Sequence, residues 1–103
     1  MPTLDRENVR KLADDVAIYY ARSSAHPIQC AITLRIFRDG TWRTIHLFDN
    51  SHAVEEHHEH HYVGHCKQAP HVRHGATNDL MAAAIAELRA RWRELVRTWE
   101  HRS

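Results

Sequence analysis

Apolar and polar residues follow three different rhythms along this chain, and each predicts a different element. From Val9 to Tyr20 the apolar positions Leu12, Val16 and Tyr20 recur every four residues, flanked by Val9, Ala13 and Tyr19. Asp5, Arg6, Glu7, Arg10, Lys11, Asp14 and Asp15 take the other faces. That spacing predicts a helix. Thr3 or Asp5 would cap it, and Ser23 to Pro27 would end it, because a residue before proline is pushed out of the helical region. From Ile28 the period becomes two, with Ile28, Cys30, Ile32, Leu34 and Ile36 alternating with Gln29, Ala31, Thr33, Arg35 and Phe37. Such alternation marks a half-buried strand.

Asp39-Gly40 then supplies a hairpin, since a type I′ turn needs positive φ at both central residues. A second strand is expected from Thr41 to about Phe48. Counting back from Arg38 opposite Thr41, Leu34 should face Ile45 and Ile32 should face Leu47 on the core side. Phe37 with Trp42, Arg35 with Thr44 and Thr33 with His46 would make the outer side. Asp49-Asn50-Ser51 reads as a strand break, followed by a loop through Val54 to Glu56. His57 to Val63 reads as a third strand ended by Gly64, and His65 to Gly75 as irregular.

The third rhythm is a helix at the end of the chain. Thr77 and Asn78 can cap it, Asp79 sits in its first turn, and Met81, Ile85, Leu88, Trp92, Leu95, Val96 and Trp99 give it one apolar stripe. The expected fold is therefore α+β, a single domain over 1–103. A three-stranded antiparallel meander would be packed by an N-terminal and a long C-terminal helix, in the order α-β-β-β-α. A helix of about 22 residues spans roughly 33 Å and would overrun a sheet of short strands. Leu95, Val96 and Trp99 would then project, which leads to the expectation of a homodimer.

Histidine changes the picture from fold to chemistry. The chain holds 11 histidines in 103 residues, and His52, His57, His58, His60, His61 and His65 fall within one short stretch. Histidine titrates nearest neutral pH and is the commonest neutral metal ligand, so this density points to proton transfer or metal binding. The formal charge is +1 and would reach +12 with every imidazole protonated. No general attraction to nucleic acid or membrane follows from a charge near balance. Cys30 and Cys66 lack C-x-x-C spacing and fit a reduced cytoplasm. No apolar run approaches 18 residues, so no membrane span or signal segment is expected.

If His57 to Val63 is extended, His57, Glu59 and His61 share one face, and His58, His60 and Tyr62 share the other. Two chemistries are open. In the first, an acid–base ribonuclease that needs no cofactor, His58, His60 and Tyr62 are the catalytic candidates, supported by His46, His52 and Lys67. Arg35 and the stripe Arg89, Arg93 and Arg97 on the last helix would hold RNA. In the second, a divalent transition metal is bound by His57, His58, His60 or His61, completed by His52, Asp49, His65 or His74. A histidine-rich strand can also be a solvated edge, and a non-catalytic interaction protein is a third possibility.

The runs Phe48-Asp49-Asn50-Ser51-His52, His58-Glu59-His60-His61-Tyr62, Lys67-Gln68 and His74-Gly75-Ala76-Thr77-Asn78 carry a resemblance. Over roughly Ile32 to Trp99 the chain resembles an uncharacterised family of small bacterial proteins with a D-N-x-H, H-x-H-x-Y, G-K and H-G-T pattern. Cys66 stands where that pattern has the Gly before Lys, and Ala76 interrupts H-G-T. From Ile32 to about Val63 it is also similar to the TumE-like components of bacterial toxin-antitoxin systems. The resemblance implies a cytoplasmic bacterial or mobile-element protein, a toxin-like nuclease acting on RNA, and a cognate antitoxin or host protein as partner.

Overall fold

The computed structural model describes residues 7–23, 28–53 and 56–102, with the backbone alone for 51–53. Among these residues seven antiparallel strands form one sheet and a single helix follows them. The strands are β1 (Asn8–Ala13), β2 (Val16–Arg22), β3 (Cys30–Arg38), β4 (Thr41–Ala53), β5 (Glu56–Val63), β6 (Cys66–Lys67) and β7 (His71–His74), and the helix is α1 (Thr77–Arg102). They lie in the order β1-β2-β3-β4-β5-β6, and β7 pairs with the first half of β5. The α-β-β-β-α arrangement is thus replaced by a longer meander with one helix.

The N-terminal helix is corrected to a β-hairpin. Positions four apart share a face in a helix, but they also share a face in a strand, so Leu12, Val16 and Tyr20 satisfy both periods. The run Val-Ala-Ile-Tyr-Tyr decides in favour of strand, because β-branched and aromatic side chains suit a pleated surface. Ile18 pairs with Leu34 and Val16 with Ile36, and all four are buried. The proposed caps Thr3 and Asp5, and most of the Ser23 to Pro27 stop, lie outside the described residues.

The Asp39-Gly40 turn forms as expected, with φ of 54° and 79°. Arg38 faces Thr41, Phe37 faces Trp42 and Arg35 faces Thr44. Beyond that the register slips. Ile45 is an extra residue in β4, so Leu34 pairs with His46 and Ile32 with Phe48. A bulge lets consecutive side chains point the same way: Ile45 and His46 are both buried, 2% and 6% exposed. Every residue after the bulge changes face, so Phe48 joins the core and Leu47 leaves it.

The expected break at Asp49-Asn50-Ser51 does not occur, and β4 continues to Ala53. Asn50 instead joins elements. Its Oδ1 accepts from the Cys30 backbone N–H at 2.7 Å, and its Nδ2 donates to the Ile28 carbonyl at 2.8 Å and to Thr77 Oγ1 at 3.4 Å. The stretch from His65 to Gly75 likewise contains β6 and β7. Tyr62 pairs with Lys67 there, and Glu59 pairs with His71.

The C-terminal helix is present and runs 26 residues, about 39 Å. The longest dimension of the molecule is 38 Å. At 13 residues β4 is roughly as long as the helix, so the sheet covers the far end of α1. Met81, Ala84, Leu88, Val96 and Trp99 are buried against the β2–β4 residues Val16, Ile18, Ile32, Leu34, Ile36, Ile45 and Phe48. Trp99 also donates its indole N–H to the Gly64 carbonyl at 3.1 Å. With Val96 and Trp99 buried inside their own chain, the apolar projection that led to the expected homodimer is absent. No helix among the described residues is long and apolar enough to cross a membrane.

Candidate active site

The slip at Ile45 decides where the chemistry gathers. It turns His46 toward α1, where the pairing of β4 with β5 sets it directly opposite His61. Opposed residues of antiparallel strands hold their Cβ atoms about 5 Å apart. One row along, Phe48 pairs with Glu59 and Glu59 with His71. The next helix-facing residues are His57 and its partner Arg73. Three strands thus bring four histidines, one glutamate and one arginine to the face beneath the helix.

Glu59 organises this face. His46 Nε2 lies 2.7 Å from Glu59 Oε2, and Arg73 donates to the other carboxylate oxygen, Oε1, at 2.7 Å. Arg73 also reaches Glu87 of α1 at 2.8 Å and stacks over the Phe48 ring at 5.5 Å. Glu87 passes the network on to Arg91 at 3.0 Å, and Arg91 to Glu94 at 3.3 Å. The hydrogen bond from His46 and the Arg73 guanidinium hold the Glu59 carboxyl below its usual range, against the opposing effect of burial. Glu59 is therefore an anion at neutral pH and takes the ring proton of His46 at Nε2, which fixes the tautomer and leaves Nδ1 for proton exchange.

A cleft of about 380 Å³ opens at this face, with His46, Glu59, His61, His71, Arg91 and Arg102 among its walls. Burial, followed by the electrostatic influence of the neighbouring His46, Arg102 and His71 side chains, pushes the His61 imidazole below its ordinary value. His61 is therefore neutral near pH 7 and able to accept a proton. One wall carries a neutral imidazole, another an imidazole backed by a carboxylate, and the helix contributes the Arg91 and Arg102 guanidinium groups together with the Glu94 carboxylate paired to Arg91.

Deeper under the helix N-terminus, His57 Nε2 lies 3.3 Å from Cys30 Sγ. Burial raises the Cys30 thiol to about 12 and lowers the His57 imidazole. Both stay uncharged. Without a thiolate this pair is not a nucleophile, and it packs the core.

The expected alternation within β5 is present, but the expected catalytic set is divided by it. His58 and His60 lie on the face away from α1, with ring centroids 6.3 Å apart. His58 pairs with Glu56 at 2.9 Å, and His60 Nδ1 with the Gln68 carbonyl at 2.8 Å. His46 is on the opposite face. Lys67 is exposed on β6, Tyr62 borders the cleft, and the His52 side chain lies outside the described residues. The four suggested metal ligands are split in the same way, His57 and His61 on one side and His58 and His60 on the other. Among the described residues no group of three or more His, Cys, Asp or Glu is arranged to hold a metal ion.

The arginines are also redistributed. Arg89, Arg93 and Arg97 are exposed and do not line the cleft; Arg93 stacks on Trp92 at 4.4 Å. Arg35 lies on the outer sheet face. The sequence reading did not select Arg73, Glu87, Arg91, Arg102 or His71. Only His71 carried a signal, as one more histidine close to the block. Comparison with protein-family models, curated proteins and solved structures returned no match.

Proposed function

We propose that this protein is a toxin-like ribonuclease that cleaves RNA by acid–base catalysis in the cleft between the sheet and α1. The observation that carries the reading is the carboxylate-backed His46 facing His61 across two paired strands inside that cleft. Phosphodiester cleavage needs one group to take the 2′-hydroxyl proton and another to give a proton to the leaving oxygen. Neutral His61 takes the 2′ proton as that oxygen attacks phosphorus. The bond from phosphorus to the 5′ oxygen breaks, and His46 protonates the departing oxygen. Glu59 holds the His46 ring in position for that step through its hydrogen bond at Nε2. Arg91 and Arg102 offset the charge that builds on the phosphorane oxygens. The products are a 2′,3′-cyclic phosphate and a 5′-hydroxyl.

The reading also carries the expectations of action in the cytoplasm and of a cognate antitoxin that covers the cleft. Its test is untagged protein incubated with single-stranded RNA from about pH 5 to 8, with chelator and with added divalent metal. Cleavage to cyclic phosphate ends, insensitive to chelator and lost in His46→Asn and His61→Asn, is the expected result. RNA left intact throughout would overturn it.

A further inference from the structure

We propose that the open end of β4 beside the cleft is a subsite for single-stranded RNA, where a base stacks on Trp42 on the outer sheet face and its phosphate is held at the strand edge by Arg43 and His65. The inference rests on the ribonuclease reading and names the form of its substrate. The single helix covers one face of the sheet. On the other face Phe37 and Trp42 meet edge to face at 5.5 Å, Trp42 meets Tyr19 at 6.1 Å, and Arg35 lies over Tyr19 at 4.0 Å. Phe37 and Trp42 are 43% and 37% exposed.

Beside Trp42 a hollow of about 360 Å³ is lined by Thr41, Trp42, Arg43, Thr44, Tyr62 and His65. Its polar lining consists mainly of hydrogen-bond donors: hydroxyls, a guanidinium and an imidazole. Arg43 Nη1 lies 3.2 Å from His65 Nε2, and its Nη2 lies 3.5 Å from Asp39 Oδ2. The Arg43 Nε–H is buried with no acceptor among the described residues. An aromatic ring next to clustered donors suits a nucleotide, the ring for the base and the donors for the phosphate. Tyr62 borders both this hollow and the cleft. A strand with one base on Trp42 can therefore run past Tyr62 to His61 and His46.

The chemistry also selects the occupant. Arg35 is already paired with Glu7 at 3.1 Å. Arg43, whose contact with Asp39 is long at 3.5 Å and whose Nε–H has no acceptor among the described residues, keeps donor capacity that a phosphate complements. A duplex has its bases stacked on one another and offers no free base face to Trp42.

The test is fluorescence anisotropy with a labelled 2′-O-methyl octanucleotide, which cannot be cleaved because its 2′ oxygen is blocked. Wild-type protein should bind it and bind the same strand in a duplex far more weakly. Trp42→Ala should weaken binding roughly tenfold, within the range for one lost stacked base, and Trp42→Phe should retain most of it. Arg43→Gln should weaken binding and flatten its salt dependence. Equal binding by wild type, Trp42→Ala and Arg43→Gln, or equal affinity for duplex, would overturn the subsite. His46→Asn separates the two readings, since it should stop cleavage and leave this binding intact. Trp42-dependent binding without RNA cleavage would sink the catalytic reading alone, and cleavage with Trp42-independent binding would sink the subsite alone.

Discussion

His46 and Glu59 sit in adjacent strands with Nε2 and Oε2 2.7 Å apart, and Arg73 holds the second oxygen of the same carboxylate. Both side chains of the pair are largely covered, at 8% and 12% exposure. A carboxylate so placed works through the imidazole it orients.

Glu59→Gln tests that link. The amide keeps the shape but loses the charge and can present an N–H to His46, which would favour the wrong tautomer. RNA cleavage should fall roughly 10²- to 10⁴-fold, the scale seen when an orienting carboxylate is replaced by its amide. Stability should fall by about 1–3 kcal/mol, because the Arg73 guanidinium loses a charged partner. Kinetics and denaturant unfolding on the same preparation measure both. Full activity in this variant would show that His46 does not need Glu59.

Acid should unfold the protein in two stages. Burial lowers the His57 and His61 imidazoles in the folded state, so the unfolded chain takes those protons first. The stability they contribute is complete above about 6.5 and declines as pH falls below it toward the lowered folded values. Glu59 and Glu87 are held below the usual carboxylate range, by His46 and by Arg73 respectively. Their contribution is present above about 4.5 and is lost as pH falls through the lowered folded values. Thermal unfolding from pH 8 to 3 should show a decline that begins near 6.5, and His57→Leu should reduce its slope. A melting temperature constant from pH 7 to 5 would contradict the first stage.

The two cysteines should behave oppositely toward thiol reagents. Cys66 is exposed, while Cys30 is buried with its thiol raised to about 12. Native protein should react with one equivalent of a disulfide reagent quickly, and the second should follow only on unfolding. Cys66→Ser should remove the fast phase. A fast phase that persists in that variant would mean that Cys30 is open to solvent.

Asn50→Ala should be among the more damaging single changes outside the apolar core. It removes the acceptor of the Cys30 N–H and the donor to the Ile28 carbonyl, in a side chain only 1% exposed. Leaving such groups unpaired costs about 1–3 kcal/mol each, so urea unfolding should show a loss of about 2–4 kcal/mol. A loss under 0.5 kcal/mol would mean that water replaces both bonds.

Local rules made part of this architecture legible. Asp39-Gly40 specifies its turn because few residue pairs tolerate positive φ at both positions. The last helix is long and periodic, so no competing element fits it. The alternation of β5 follows from the geometry of any extended chain, and with it the grouping of His57, Glu59 and His61. Histidine density drew attention to β5, whose His61 lines the cleft while His58 and His60 do not.

Tertiary structure decided the remainder. Leu12, Val16 and Tyr20 fit a helix and a strand equally; the β-branched and aromatic run from Val16 to Tyr20 favours strand, and pairing of β2 with the Ile32–Ile36 run fixes it. One extra residue at Ile45 carries His46 from the outer face to the cleft, since a pleated strand reverses every side chain with each step of register. That bulge has no local signature, because its compensation is burial of Ile45 and His46 under α1. The site itself needs Glu59, Arg73 and Glu87 within one network, and they come from two strands and a helix. Residue types along a chain indicate which charges are available, but which of them meet is set by strand register and by the helix laid across the sheet.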